Sequence, residues 1–367
     1  MNKSTEQNRS KIKLPNNIRP IITVLISLFL LFRIYEVVVV QQQFTADIWV
    51  RFALSGLILG GMYALIAIGY TLVYGIMFMI NFAHGEVMML GAFGGFFVFE
   101  LFNFIPTPTA DDPKLTFLNS HPYITIAAAF AVGLFIAGLA GYFLERIAYR
   151  PLRRAPRLIL LITAIGASTF LQNVAMLMFG PTRKNIVNPD ILDRSAGWTI
   201  MVASKPVLIT YTGVFSLVLS AFMMILLFII VQRTKLGRAM RAVAQDKNTA
   251  ALMGVDVDDV ISKTFIISGV LAGAAGVMWD IHMGLVNHYT GFLPGIKAFT
   301  SAVMGGIGNI PGAMLGGILL GMLESVGPAA LGIDFQLKDV IAFSILILVL
   351  IVRPSGILGE KLSEEKL

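Results

Sequence analysis

Long apolar runs separated by short polar stretches fill most of this chain. They cover approximately residues 21–40, 49–78, 85–104, 122–144, 158–180, 207–231, 264–284, 296–307, 311–328 and 339–352. A helix needs about 20 mostly apolar residues to cross a bilayer core. Most of these runs meet that length, so the pattern predicts an all-α, polytopic transmembrane helical bundle of about 9–10 spans. The run at 49–78 has room for one span and part of a second element. The run at 296–307 is too short for a regular crossing and predicts a half-helix or re-entrant piece.

Within the runs, small residues recur at a spacing of four. Gly56 and Gly60, Gly91 and Gly95, Gly269 and Gly273, Gly312 and Gly316, and Gly317 and Gly321 each fall on one helix face. That spacing lets two backbones approach closely, so packing accounts for any single pair. The density of small residues at 85–97 and 305–321 marks tightly packed positions. "AHGEVMMLGAFGGFF" and "IPGAMLGGILLG" resemble each other in starting with a turn and continuing as a Gly-rich helix. This suggests an internal repeat with paired broken segments, as in many transporters. The break in the second copy is expected around Gly305, Gly306, Gly308, Pro311 and Gly312, packed against the region near 85–95.

The stretch "INFAHGEVMM" interrupts the apolar pattern with Asn81, His84 and Glu86. A polar group in hydrocarbon costs several kcal/mol unless it is paired. The space between an incoming span ending near Phe78 and an outgoing one starting near Gly85 allows only a tight turn. At or just inside the cytoplasmic boundary, Asn81 would cap the backbone, Gly85 would permit a bend, and Glu86 would suit a helix first turn. One reading is a capped turn. The other is a water-accessible translocation pathway or gate, since intramembrane ionisable groups are functional candidates.

Basic residues give the orientation. Arg146, Arg150, Arg153, Arg154 and Arg157 crowd one loop, and Arg233, Lys235, Arg238, Arg241, Lys247 and Lys263 mark another. Lys3, Arg9, Lys11, Lys13 and Arg19 precede the first run, and Arg353 follows the last. The positive-inside rule assigns all four regions, and both termini, to the cytoplasm, provided that 296–307 counts as a crossing. The loops at 105–121 and 181–206 then face outward, although the second carries Arg183, Lys184 and Arg194.

Composition agrees with this pattern. The 367 residues are 56% hydrophobic and 13% charged, against about 25% charged in soluble domains. A net charge of +7 is explained by cytoplasmic loops rather than by nucleic acid as a partner. The absence of cysteine excludes disulfides and thiolate metal sites. His84-Gly85-Glu86 lacks the H-E-x-x-H spacing, and no G-x-x-x-x-G-K-[ST] loop is present. Neither a metal, a cofactor nor a catalytic residue is expected. The first run, apolar over 21–32 and then carrying Arg33 and Glu36, predicts a retained helix rather than a cleaved leader.

The loop "RTKLGRAMRAVAQDKNTAALMGVDVDDVISKTF" carries two short helical patterns. Leu236, Met240 and Val243 share one face of the first. Asn248 is expected to cap the second and Gly254 to end it. Asp256, Asp258 and Asp259 load the start of the next span. Both a solvated loop and a docking surface fit this pattern.

Four segments together carry a resemblance. "GYTLVYGIMFMINFAHGEVMMLGAF", "ERIAYRPLRRAPRLILLITAIGASTFLQN", "TKLGRAMRAVAQDKNTAALMGVDVDDVI" and "KAFTSAVMGGIGNIPGAMLGGILLGMLE" resemble, in sequence and order, the permease subunits of bacterial branched-chain amino-acid ABC importers. The likeness runs from about residue 49 to about 355, and is to the subunit type with the "NFAHGE" turn. It implies a multi-pass permease of the bacterial inner membrane that is not itself an enzyme. Its partners would be two ABC ATPase subunits, a second related permease and an extracytoplasmic substrate-binding protein, within a lipid membrane. Gly237, Arg238, Arg241, Ala242, Asp246, Asn248, Ala251 and Gly254 match the family's ATPase-contacting loop, at about 233–262.

The implied organisation is an N-terminal segment with an extra helix at 1–48, the permease domain at 49–355, and a cytoplasmic tail at 356–367. The extra segment departs from the family pattern. Related permeases also carry urea or short amides, which remains an alternative substrate class. Two other classes stay open. One is a passive channel, and the other is an intramembrane hydrolase pairing Ser168 with a distant histidine such as His84 or His282.

Overall fold

The computed structural model describes residues 28–29, 31–108, 113–153 and 155–359. Lys3, Arg9, Lys11, Lys13, Arg19, Arg154, much of the first apolar run and the tail beyond 359 lie outside the described residues.

Eight described helices are long and apolar enough to cross a membrane. The first, α1 (Ala46–Met77), absorbs the whole 49–78 run as one unbroken element. Its 32 residues span about 48 Å at 1.5 Å per residue, which leaves nothing for the additional partial element expected there. It is followed by α2 (His84–Phe104), α3 (Pro122–Phe143), α4 (Arg157–Phe179) and α5 (Tyr211–Arg233). Two short helices, α6 (Lys235–Gln245) and α7 (Lys247–Leu252), precede α8 (Val257–Met283). The short α9 (Phe292–Gly305), then α10 (Ile310–Leu331) and α11 (Lys338–Val352), complete the bundle. The count falls below 9–10 because the 296–307 run is the 14-residue α9 and the first run is only partly described.

The chain alternates between two ends of the bundle. One end carries Arg150, Arg153, α6 and α7, and is called here the basic end. The other carries two small antiparallel ribbons and is called the strand end. There β1 (Lys184–Asn185) pairs with β4 (Leu285–Val286), and β2 (Gly197–Val202) pairs with β3 (Lys205–Thr210). The 181–206 loop thus contains strands the sequence reading did not expect. The β2–β3 connection is the dipeptide Ala203-Ser204, with φ of 48° and 66°. Two positive φ values in a two-residue loop make a hairpin turn of the kind usually supplied by Asn-Gly, so its usual signal is missing from the sequence. Arg194 is fixed here too. It donates to the carbonyls of Ile281 (3.0 Å) and Ile186 (3.1 Å), which ties this loop to the end of α8. Its guanidinium is partly buried, and that desolvation lowers its pKa from the ordinary arginine value.

The 296–307 run falls mostly in the short α9, which runs between the inside of the bundle and its basic end. The chain leaves β4 at the strand end, reaches Gly291 beside Gly85 inside the bundle, and descends as α9 to Gly305. Gly305 accepts a hydrogen bond from Leu358, which follows α11.

Glycine faces make close helix crossings. On α1 and α10, a Cβ on Gly317 would lie 2.3 Å from Ala64 Cα, and one on Gly321 would lie 2.2 Å from Gly60 N. Among α2, α3 and α8, a Cβ on Gly91 would lie 2.5 Å from Gly273 Cα. Small residues at these crossings supply the close van der Waals contact that holds helices together in lipid.

Candidate functional site

The turn between α1 and α2 lies inside the bundle, not at its edge. Asn81, His84 and Glu86 are 3%, 2% and 1% exposed. Their partners give the depth. His84 Nδ1 lies 3.4 Å from Ser268 Oγ, and Glu86 Oε1 accepts from Ser168 Oγ at 3.2 Å and Gln172 Nε2 at 2.7 Å. Ser268 and Ser168 are each eleven residues past the starts of α8 and α4, Val257 and Arg157. Eleven residues advance about 16 Å along each helix, so the turn is packed within the bundle, past the charged start of α8. The turn is thus a buried element of the bundle. The cause is tertiary: α1 ends at Phe78 in a left-handed conformation (φ 54°), and the chain re-enters as α2 at once.

The expected cap is corrected. Ala83 occupies the N-cap of α2, with no side-chain cap. Asn81 Oδ1 instead accepts from Tyr149 Oη at 2.6 Å. Gly85 provides room rather than a bend: a Cβ there would lie 2.4 Å from Gly291 O and 3.1 Å from Gly295 Cα. Glu86 is helical in the first turn, where the dipole favours an anion. Its Oε2 has no hydrogen-bond partner, and among the described residues it makes no ion pair. Ser168, considered above as a nucleophile, is bonded to Glu86 rather than to a histidine.

The second broken element is arranged differently from expectation. Gly306 (φ 111°) and Gly308 (φ 96°) turn the chain between α9 and α10. Asn309 caps α10, accepting from Gly312 N at 3.1 Å, and Pro311 sits in its first turn. Pro311 therefore begins a helix rather than breaking one, since its missing N–H costs nothing there. Gly305 and Gly312 pack against each other. The turn meets residues 356–359, not 85–95. Ile357 N donates to Met304 O, and Leu358 N to Gly305 O, each at 2.9 Å, while Asn309 Nδ2 donates to Leu358 O at 2.8 Å. The contact with Gly85 comes from Gly291 and Gly295, at the other end of α9.

At the basic end, α6 rests on the bundle through Gly237, Met240 and Val243. Thr234 caps it by accepting from Gly237 N at 3.1 Å. Arg241 donates to the carbonyl of Val231 and so is used within the chain, whereas Arg238 is exposed. Ala242 is half-buried. Asp246, not Asn248, caps α7: its Oδ1 accepts from Asn248 N at 2.8 Å and Thr249 N at 3.2 Å. Two cap-forming residues stand two apart, and the first is the one whose backbone is extended. Gly254 (φ 84°) ends the segment in open space. Beside exposed Ala251, Leu252 and Met253 are 87% and 80% exposed. This apolar tip was missed in the sequence, although two large apolar residues before a glycine in a polar loop mark it. Behind it, Arg150 pairs with Asp258 at 2.6 Å, and Arg153 bridges Asp258 and Glu145. Burial, with Arg153 nearby, lowers the pKa of Lys247.

Sequence reasoning also passed over a buried ion cluster. Lys297 lies 2.7 Å from Glu324 and 2.8 Å from Asp339, and Tyr63 donates to Glu324 at 3.0 Å. The signal was a lysine and a glutamate inside apolar runs.

Comparison with known proteins places these features in a family context. Residues 52–350 match the family described as the permease component of branched-chain amino acid transport systems. The chain is 46% identical over 307 residues to the high-affinity branched-chain amino acid transport system permease protein BraD of Pseudomonas aeruginosa, covering 83% of this chain and 94% of the relative. It is 42% identical over 306 residues to LivH of Escherichia coli, with the same coverages. A probable branched-chain amino acid transport permease of Methanocaldococcus jannaschii is 29% identical over 328 residues, covering 85% and 94%. No solved structure matches at a comparable level.

Proposed function

The chain belongs to the permease family of branched-chain amino acid transport systems, and from that premise we propose that it is the membrane subunit of an ABC importer for leucine, isoleucine and valine. Its working assembly contains two ATPase subunits, a second related permease and an extracytoplasmic binding protein, in a bacterial inner membrane. The basic end faces the cytoplasm, in accord with the positive-inside rule. The chain hydrolyses no ATP itself. Work reaches it by contact.

The observation that carries this reading is the apolar tip of Leu252 and Met253. It stands clear of the bundle on two short helices fixed by their own caps, Thr234 and Asp246. Large exposed apolar side chains beside a charged loop suit an ATPase groove. Gly237, Arg241, Ala242 and Asp246 hold the loop in shape, while Arg238, Asn248, Ala251 and Gly254 lie on the contacting side. Two long helices, α5 and α8, flank the loop and carry its movement into the bundle. The turn at Asn81, His84, Gly85 and Glu86 is the polar element of the pathway or its gate. The Gly305–Gly312 turn and the 356–359 segment clasp the basic end of α9.

Uptake in intact cells tests the assignment. Deleting the chain abolishes high-affinity uptake of radiolabelled leucine, isoleucine and valine, and expressing it restores uptake. Unchanged uptake of all three, with loss of urea or short-amide uptake, would move the protein to that substrate class.

A further inference from the structure

Four ionisable side chains from three helices meet beside α1. Lys297 of α9 places Nζ 2.7 Å from Glu324 Oε1 of α10 and 2.8 Å from Asp339 Oδ1 of α11. Lys338 Nζ reaches the same Glu324 oxygen at 3.1 Å. Tyr63 Oη donates to Glu324 Oε2 at 3.0 Å, and the Trp279 ring lies 6.3 Å from that of Tyr63, centre to centre. The side chains of Lys297 and Glu324 are 10% and 3% exposed, while those of Lys338 and Asp339 are 44% and 42% exposed. The cluster therefore runs from an open rim near the start of α11 into the bundle.

Two features set this cluster apart from a helix clamp. First, desolvating two charges is expensive, and apolar residues of similar volume hold helices together as well or better. Ionisable groups inside a membrane bundle are functional candidates for that reason. Second, the cluster is balanced, with two ammonium groups facing two carboxylates. A zwitterion carries one carboxylate and one ammonium on a single carbon. It can replace one arm of each of two ion pairs and leave no charge unpaired. A lone ion or a neutral amide cannot. Met304, Leu320 and Ala342 pack around Tyr63, and Trp279 borders them, so an aliphatic side chain would find an apolar wall next to the charges. Lys297 also sits on α9, the short helix whose two ends pack against Gly85 and Gly312.

We propose that Lys297, Glu324, Lys338 and Asp339, with Tyr63, form a subsite that receives the amino-acid zwitterion entering from the strand end. The substrate carboxylate pairs with the lysines and its ammonium with the carboxylates. Without substrate, the four groups pair with one another. This inference rests on the amino-acid permease reading and deepens it.

The test uses the full complex, reconstituted with its second permease, ATPases and binding protein. Replacing the inner pair together, Lys297→Met with Glu324→Leu, removes one charge of each sign, while Lys338 and Asp339 stay at the rim, 44% and 42% exposed to water. The wild-type complex must import leucine, and failure there overturns the permease reading itself. With wild-type import established, the double variant is expected to assemble and to lose at least tenfold in leucine uptake. Saturation-transfer NMR on the complex without binding protein reads the subsite directly. Leucine is expected to give a signal that valine competes away and that the double variant loses. Uptake within twofold of wild type, or an unchanged leucine signal, would overturn the subsite. If the double variant does not assemble, the near-isosteric Glu324→Gln decides by the same thresholds.

Discussion

Gln172 Nε2 donates to Glu86 Oε1 at 2.7 Å, tying the first turn of α2 to the middle of α4. The bond joins positions 86 residues apart and holds a carboxylate deep in the bundle. With Ser168, it satisfies one carboxylate oxygen and leaves Oε2 open. Gln172→Leu removes the stronger donor. Losing a buried partner of a carboxylate costs on the order of 1–3 kcal/mol. Thermal unfolding of the purified chain is expected to shift down accordingly. Ser168→Ala, which removes the longer bond, shifts it less.

The Tyr149–Asn81 bond gives a second test of the buried turn. Tyr149→Phe keeps the ring and removes the donor, stranding Asn81 Oδ1. A destabilisation of about 1–3 kcal/mol is expected. An unchanged unfolding midpoint would mean that Asn81 finds water, and that the turn is solvated after all.

The bundle was legible in the sequence because hydrocarbon imposes a simple code of long apolar runs. The short α9 was legible because 296–307 is too short for a regular span, and the helix crossings because glycines four apart have few other uses. What was hidden depended on partners far along the chain. Nothing near "NFAHGE" states its depth, which follows from Ser268, Ser168 and Gln172 on other helices. Lys297 reads as one lysine in an apolar run until Glu324, 27 residues on, appears beside it. The β2–β3 hairpin escaped notice because Ala203-Ser204 is an unusual turn dipeptide. Asp246 and Asn248 are both good caps, and only the backbone conformation distinguishes them.

Packing along α1 and α10 makes a contrast between two glycines. A Cβ on Gly317 would meet Ala64 Cα at 2.3 Å, whereas Gly75 has nothing within 4 Å. Gly317→Leu is expected to reduce the yield of folded protein several-fold, since overpacking commonly costs about 1–3 kcal/mol and backbone cannot yield. Gly75→Ala is expected to match or exceed wild type, as alanine favours a helix by about 1 kcal/mol over glycine. Equal yields from both variants would remove the close crossing as a determinant of folding.

The loop offers a sharper choice of mutations than its sequence did. Arg241→Glu is a poor probe of a partner, because Arg241 is bonded to Val231 O and its loss disturbs α6 itself. Leu252→Asp with Met253→Asp touches only exposed side chains. Membrane insertion and circular dichroism are expected to stay unchanged, while co-purification of the ATPase subunits falls at least tenfold.

The central claim is that this chain conducts amino acids only when a partner ATPase drives it through that loop. Leucine uptake into proteoliposomes containing the chain and its partners tests this most directly. The account predicts accumulation against a gradient that requires ATP, and that disappears in the Leu252→Asp, Met253→Asp variant. Equal uptake with and without ATP, stopping when inside and outside concentrations match, would contradict it and identify a passive channel.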